Sequence, residues 1–162
     1  MDNEALIREQ LVQRLRGRGA HMPVQQALAD FPMDRINEKF PNGTYSSWAL
    51  LEHLRLTQLD ILDYCRNPNY TPRPHPEGYW PARDAVATAA DWARTCEVFL
   101  SDLDELIAIV EDPETDLYTK IPWGGEHTIL REILIIADHN SYHVGELAIM
   151  RQVMRTWPEG RG

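Results

Sequence analysis

His139 and His143 stand four residues apart in ADHNSYHVGEL, inside a stretch that is otherwise greasy: TILREILIIA precedes it and AIMRQVM follows. On a helix that spacing puts both imidazoles on one face, one turn apart. That face continues through Ile135, Ile136, Glu146, Leu147 and Met150, so the rings extend an apolar stripe. His53 is placed in the same way, sharing its helix face with Ala49, Leu50, Leu56, Thr57 and Asp60. Buried neutral imidazoles need a partner for each ring nitrogen, and three together are costly to satisfy with protein groups alone. A cation takes one lone pair from each ring and leaves the other nitrogen to donate to a neighbour. Three imidazoles on one ion leave open positions for water or substrate, as in catalytic rather than structural sites.

Other metal templates fail. Asn140 follows His139, so there is no HExxH. A di-iron bundle needs Glu-x-x-His twice, whereas Leu50, Ile136 and Asn140 occupy the corresponding positions. Cys65 and Cys96 are too far apart for a zinc finger and read as reduced core thiols. What remains is one divalent ion on His53, His139 and His143, and this ligand set suits zinc, nickel, iron or copper equally. His21, His75 and His127 fall in connecting segments and read as loop histidines.

Four long segments with 3.6-residue periodicity must carry these residues, and none shows strand alternation. The spacing predicts a first helix over 3–16, with Leu6, Ile7, Leu11 and Leu15 on one side and Gly17 and Gly19 ending it. A short helical piece at 23–29 follows. The second helix begins at a Ser46 or Ser47 cap and stops at Asn67-Pro68. The linker NPNYTPRPHPEGYWPA holds five of eleven prolines and is expected to be extended and helix-free, with Tyr79 and Trp80 over an end of the bundle. The third helix is expected over 82–111, turning Val86, Ala90, Ala93, Val98, Leu103, Leu106 and Val110 toward neighbours. A loop with a short extended piece at 117–121 leads to a fourth helix over 128–157. Its apolar middle marks it as the best-buried element. Together these give an all-α four-helix bundle in a single domain covering residues 1–162.

A net charge of −9 without a basic stripe argues against nucleic acid. No apolar run or leader-like segment points to a membrane or to export, so the expected setting is cytoplasmic. The apolar helices also allow a homodimer.

EHLRLTQLDIL and LREILIIADHNSYHVGEL, with the NPNY…GYWP linker and the IPWG turn, resemble the DinB-like family of metal-binding four-helix bundles. The resemblance spans most of the chain. It implies a metal triad of one histidine on the second helix and an HxxxH pair on the fourth, which are His53, His139 and His143. A small-molecule substrate is expected, and the family includes transferases acting with bacillithiol, mycothiol or glutathione alongside many members with no known activity, so the resemblance supports the site more strongly than any particular reaction.

An ion with an open position generates a nucleophile near neutral pH, either a thiolate or a hydroxide. The first would make a thiol S-transferase with a low-molecular-weight thiol as cosubstrate, the second a metal-dependent hydrolase; a metal-binding module without turnover is the third reading. Glu146, one turn beyond His143, and Asp60, two turns beyond His53, are the candidate base or orienting carboxylates. Tyr142 and Asn140 flank the pair, while Glu52 and Asp138 are rotated away from it. Arg55, Arg131 and Arg151 are the candidate cations for a charged thiol at the pocket mouth.

Overall fold

The computed structural model describes residues 2–160. Its helices are α1 (Asn3–Leu15), a short α2 (Val24–Leu28), α3 (Ser47–Arg66), α4 (Ala89–Glu111) and α5 (Ile129–Met154). The four long ones form a bundle in which α3 packs on α4 and α5, and α1 closes the ring against the same two. No strand occurs among the described residues; two isolated bridges, Lys39 with Ser46 and Lys120 with Thr128, tie loop ends together.

Local chemistry sets these boundaries. The Ser46 side chain accepts from the Ala49 amide and starts α3, and the chain leaves the helix at Asn67, ahead of Pro68. Thr128 caps α5 through the Arg131 amide, and Arg155 ends it in the left-handed conformation. The third long helix starts seven residues later than the periodicity predicts. Thr88 and Asp91 form a reciprocal capping box there, and Val86 lies 77% exposed in the preceding loop.

The inward face of α4 also differs from expectation. Ala90 and Ala93 are exposed, while Trp92 and Phe99 are buried. The larger rings bring more apolar area out of water, roughly 25 cal/mol per Å², and so decide which side turns in. On α1, Leu11, Val12 and Leu15 enter the core while Leu6 and Ile7 stay outside.

Leu50, Leu51 and Leu54 of α3, Phe99, Leu106 and Val110 of α4, and Ile133, Ile136 and Leu147 of α5 are wholly buried. One polar thread crosses this core: Asn140 Nδ2 donates to Gln58 Oε1 (2.9 Å), and Gln58 Nε2 donates to the Phe99 carbonyl (2.6 Å). These two bonds tie α3 to both neighbours, while the Asn140 Oδ1 finds no partner among the described residues.

The α4–α5 loop is pinned to α3 by Tyr64, whose hydroxyl donates to the Gly124 carbonyl (2.6 Å) while its own carbonyl accepts from Trp123 Nε1 (2.8 Å). A Cβ at Gly124 would lie 2.6 Å from the Tyr64 oxygen, so only glycine fits.

The linker between α3 and α4 is not wholly free of helix, having one 3-10 turn at Glu77–Tyr79. It lies along the side of α3, where Tyr79 and Trp80 reach His53. The middle of α5 is not buried all round, because Leu134 and Ile135 are exposed. Both cysteines are free thiols; burial pushes Cys65 up to about 12 and Cys96 to about 11, so both stay protonated. Among the described residues no helix is long and apolar enough to cross a membrane.

Candidate metal centre

The packing of α3 against α5 brings His53, His139 and His143 together, with one ligand atom from each ring lying within 4.8 Å of the others. The ring centroids are 4.5–5.0 Å apart. His53 is 8% exposed and the other two are partly buried. His53 Nε2 and His139 Nε2 face each other at 3.1 Å. Two nitrogens on one ion at about 2.0–2.1 Å stand roughly 2.9–3.4 Å apart for right-angle to tetrahedral geometry, and the observed separation falls in that range.

The opposite ring nitrogens explain why these lone pairs point inward. His53 Nδ1 donates to the Tyr79 carbonyl (2.6 Å), an acceptor only, so the Nε2 of the neutral ring carries a lone pair. His143 Nδ1 donates to Glu146 Oε2 (2.8 Å), and the other Glu146 oxygen accepts from the Tyr45 hydroxyl. His139 Nδ1 is buried and finds no partner among the described residues. A proton shared between the facing nitrogens would serve two rings; a cation would serve three. The donor set therefore fits a metal ion, and neutral imidazoles of this kind suit zinc, nickel or iron.

Burial keeps His53 and His139 neutral. Burial lowers the His53 pKa, opposed in part by its bond to Tyr79. Burial, and then the nearby His143 and His53, bring His139 down to about 4. Burial and then Glu146 push Tyr45 upward, so its hydroxyl remains a donor.

A wall of rings covers one side. Trp80 stacks face to face on His53, 4.0 Å between centroids and 5° between planes, and Tyr45 lies against Trp80 at 5.0 Å. Tyr142 sits edge-on to His143 at 4.9 Å.

The other sequence-predicted residues distribute as follows. Glu146 touches His143 directly. Asp60 does not reach the three rings; it accepts from the hydroxyls of Tyr79 (2.9 Å) and Tyr70 (3.1 Å), with Arg73 at 3.7 Å. Asn140 belongs to the core thread. Glu52 pairs with Arg55 at 2.6 Å and Arg131 with the buried Glu132 at 2.5 Å, so both cations are engaged away from the rings. Arg151 is no pocket-mouth cation at all: it is fully buried, and its guanidinium donates to the carbonyls of Ala27, Ala29, Asp30 and Thr156. Sequence reasoning missed Tyr45 altogether, and the Tyr79 carbonyl carries no signal in side-chain identity.

The His139 shift has a measurable consequence for the metal-free protein. Above about pH 6.5, the ordinary imidazole value, neither folded nor unfolded chain binds a proton at this ring. As pH falls toward 4, the unfolded chain takes one up and the folded chain does not, so stability falls with pH. With chelator present, the urea stability of the wild type relative to His139→Gln is expected to drop by roughly 1–2 kcal/mol between pH 7 and pH 4, after allowing for solvent screening. A difference that stays constant or grows would mean the ring is not held neutral by burial.

The family model of the DinB superfamily matches residues 18–147, a span that contains all three histidines and Glu146. No curated protein and no solved structure matches the chain.

Proposed function

Because the chain belongs to the DinB superfamily, we propose that it binds one divalent metal ion through His53, His139 and His143 and uses it to transfer a low-molecular-weight thiol to a small electrophile. The observation that carries this reading is the convergence of three ring nitrogens, one from α3 and two from α5, with the far nitrogens of His53 and His143 already tied. Zinc, nickel and iron all suit the donor set.

A divalent ion held by His53, His139 and His143 would supply the Lewis acidity that brings a thiol's pKa toward neutrality. The rest falls to the chain. His53 and His139 present neutral nitrogens at pH 7. Glu146 holds the proton on His143 Nδ1, which orients the ring and raises the basicity of its Nε2. The Tyr45 hydroxyl steadies that carboxylate from the other side. Asp60 acts at one remove as a positioning residue: it anchors the Tyr79 hydroxyl, and the Tyr79 carbonyl fixes His53. Trp80 keeps water off the outer face of His53. In the transfer the thiol gives its proton to solvent, sulfur forms a bond to the electrophilic carbon, and the leaving group departs with the bonding pair.

The test is conjugation of a haloalkyl fluorophore by bacillithiol, mycothiol and glutathione in turn, with metal-loaded and metal-free protein. The expected result is acceleration by one thiol that needs the metal. Glu146→Gln should lower metal affinity or conjugation rate by about 10–100-fold, the usual effect of losing a carboxylate behind a ligating histidine. Stoichiometric metal with no acceleration for any thiol would sink the transferase reading, and metal-dependent ester cleavage without thiol consumption would replace it with a hydrolase.

A further inference from the structure

Among the described residues, two buried side-chain atoms on neighbouring positions of α5 find no hydrogen-bond partner: Nδ1 of His139 and Oδ1 of Asn140. A ring nitrogen can donate and an amide oxygen only accepts, yet no bond joins them. Where the ring protons sit explains why. His53 Nδ1 meets the Tyr79 carbonyl at 2.6 Å, so the proton of that ring is on Nδ1 and its Nε2 carries a lone pair. The same Nε2 lies 3.1 Å from His139 Nε2, and two lone pairs at that separation would repel. The His139 proton is therefore on Nε2, donated to His53, and its Nδ1 is left as an acceptor. An oxygen on Asn140 is then no partner for it.

The Asn140 amide cannot turn over to help. The Phe99 carbonyl only accepts, so Gln58 gives it Nε2 (2.6 Å) and keeps Oε1 for Asn140. Asn140 must answer with Nδ2 (2.9 Å), which fixes Oδ1 as the unused atom. The side chain is within reach of the ring. Burial lowers the His139 pKa, and Asn140 pulls the other way, as an amide oxygen beside a ring N–H does.

We infer that Asn140 is the positioning residue for His139, and that this ring changes tautomer when the three-histidine site proposed above takes up its ion. The His139 proton leaves Nε2 and is held on Nδ1 by the Asn140 oxygen. A ligating Nε2 gives its lone pair to the ion and carries no proton, so the one proton of a neutral ring must be on Nδ1. No proton is gained or lost. The bond from His139 to His53 is exchanged for one to Asn140, and both unused atoms are satisfied together. Each ligand then has an acceptor behind it: the Tyr79 carbonyl for His53, Asn140 for His139 and Glu146 for His143. The thread through Gln58 to Phe99 thereby supports the site as well as tying the helices.

Long-range proton–nitrogen spectra of the rings, recorded at pH 7 on chelated and zinc-loaded protein, read the tautomers directly. The expected result is His139 protonated at Nε2 without zinc and at Nδ1 with it, while His53 keeps its Nδ1 proton throughout. Asn140→Leu removes the acceptor and should weaken zinc binding about 10–100-fold, measured by competition with a chromophoric chelator. Asn140→Asp loses the donor to Gln58 as Leu does but keeps an acceptor oxygen. It should bind zinc nearly as the wild type does, although both variants lose urea stability without metal. Equal weakening in the two variants, zinc affinity unchanged in Asn140→Leu, or a His139 tautomer that zinc leaves unaltered would overturn this inference alone. A wild type that takes up no zinc would overturn the three-histidine reading with it.

Discussion

Metal-free protein given a divalent ion at about a thousand times its dissociation constant is expected to melt roughly 8–16 °C higher. The ion binds only the folded chain, because His53 and the α5 pair are 86 or more residues apart in sequence and meet only through the packing of α3 on α5. Binding at that excess adds about 4 kcal/mol, and a chain of this size gains about 2–4 °C per kcal/mol. His139→Ala removes one of three ligands. If each ligand carries roughly 3 kcal/mol, as structural zinc sites imply, affinity falls about a hundredfold. The shift at the same metal concentration then shrinks to a few degrees. Differential scanning fluorimetry of both proteins, with and without metal, gives the answer. A shift that His139→Ala leaves intact would place the ion elsewhere.

The second large effect lies away from the rings. Arg151→Leu is expected to destabilise the chain by about 4 kcal/mol, since buried carbonyls left without a donor cost about 1–3 kcal/mol each before any relaxation. The guanidinium of Arg151 closes the far end of the bundle. It gathers the carbonyls of Ala27, Ala29 and Asp30 after α2 and that of Thr156 after α5, with the Trp157 ring 4.0 Å away. Urea denaturation of the two proteins measures the difference. A loss below about 1 kcal/mol would mean that water or a shifted backbone replaces the arginine. The variant also separates stability from chemistry, because Arg151 has no contact with the three histidines.

What the sequence does and does not disclose follows from the kind of signal each residue carries. His53, His139 and His143 are legible because a polar ring on an apolar helix face is an anomaly that periodicity exposes. The ends of α3 and α5 are legible because Ser46, Pro68 and Thr128 act locally. The start of α4 is readable in principle, since Thr88 and Asp91 have capping-box spacing, but the alanines and valine before them mimic helical periodicity.

Arg151 reads as a surface cation because its partners are carbonyls, and every residue has one. Tyr79 and Trp80 are visible as linker aromatics, yet where they land depends on Asp60, a contact between segments that no local pattern encodes. The outer face of α5 reads as core for a related reason: periodicity reports that a side chain is apolar, not which neighbour covers it.

The central claim is that the three ring nitrogens close on one cation, and metal content tests it most directly. Elemental analysis of protein purified without added metal or chelator, beside His53→Ala prepared in the same way, should give about one divalent ion per chain for the first and near zero for the second. Equal metal in both, or none in either even after loading and desalting, would contradict the account.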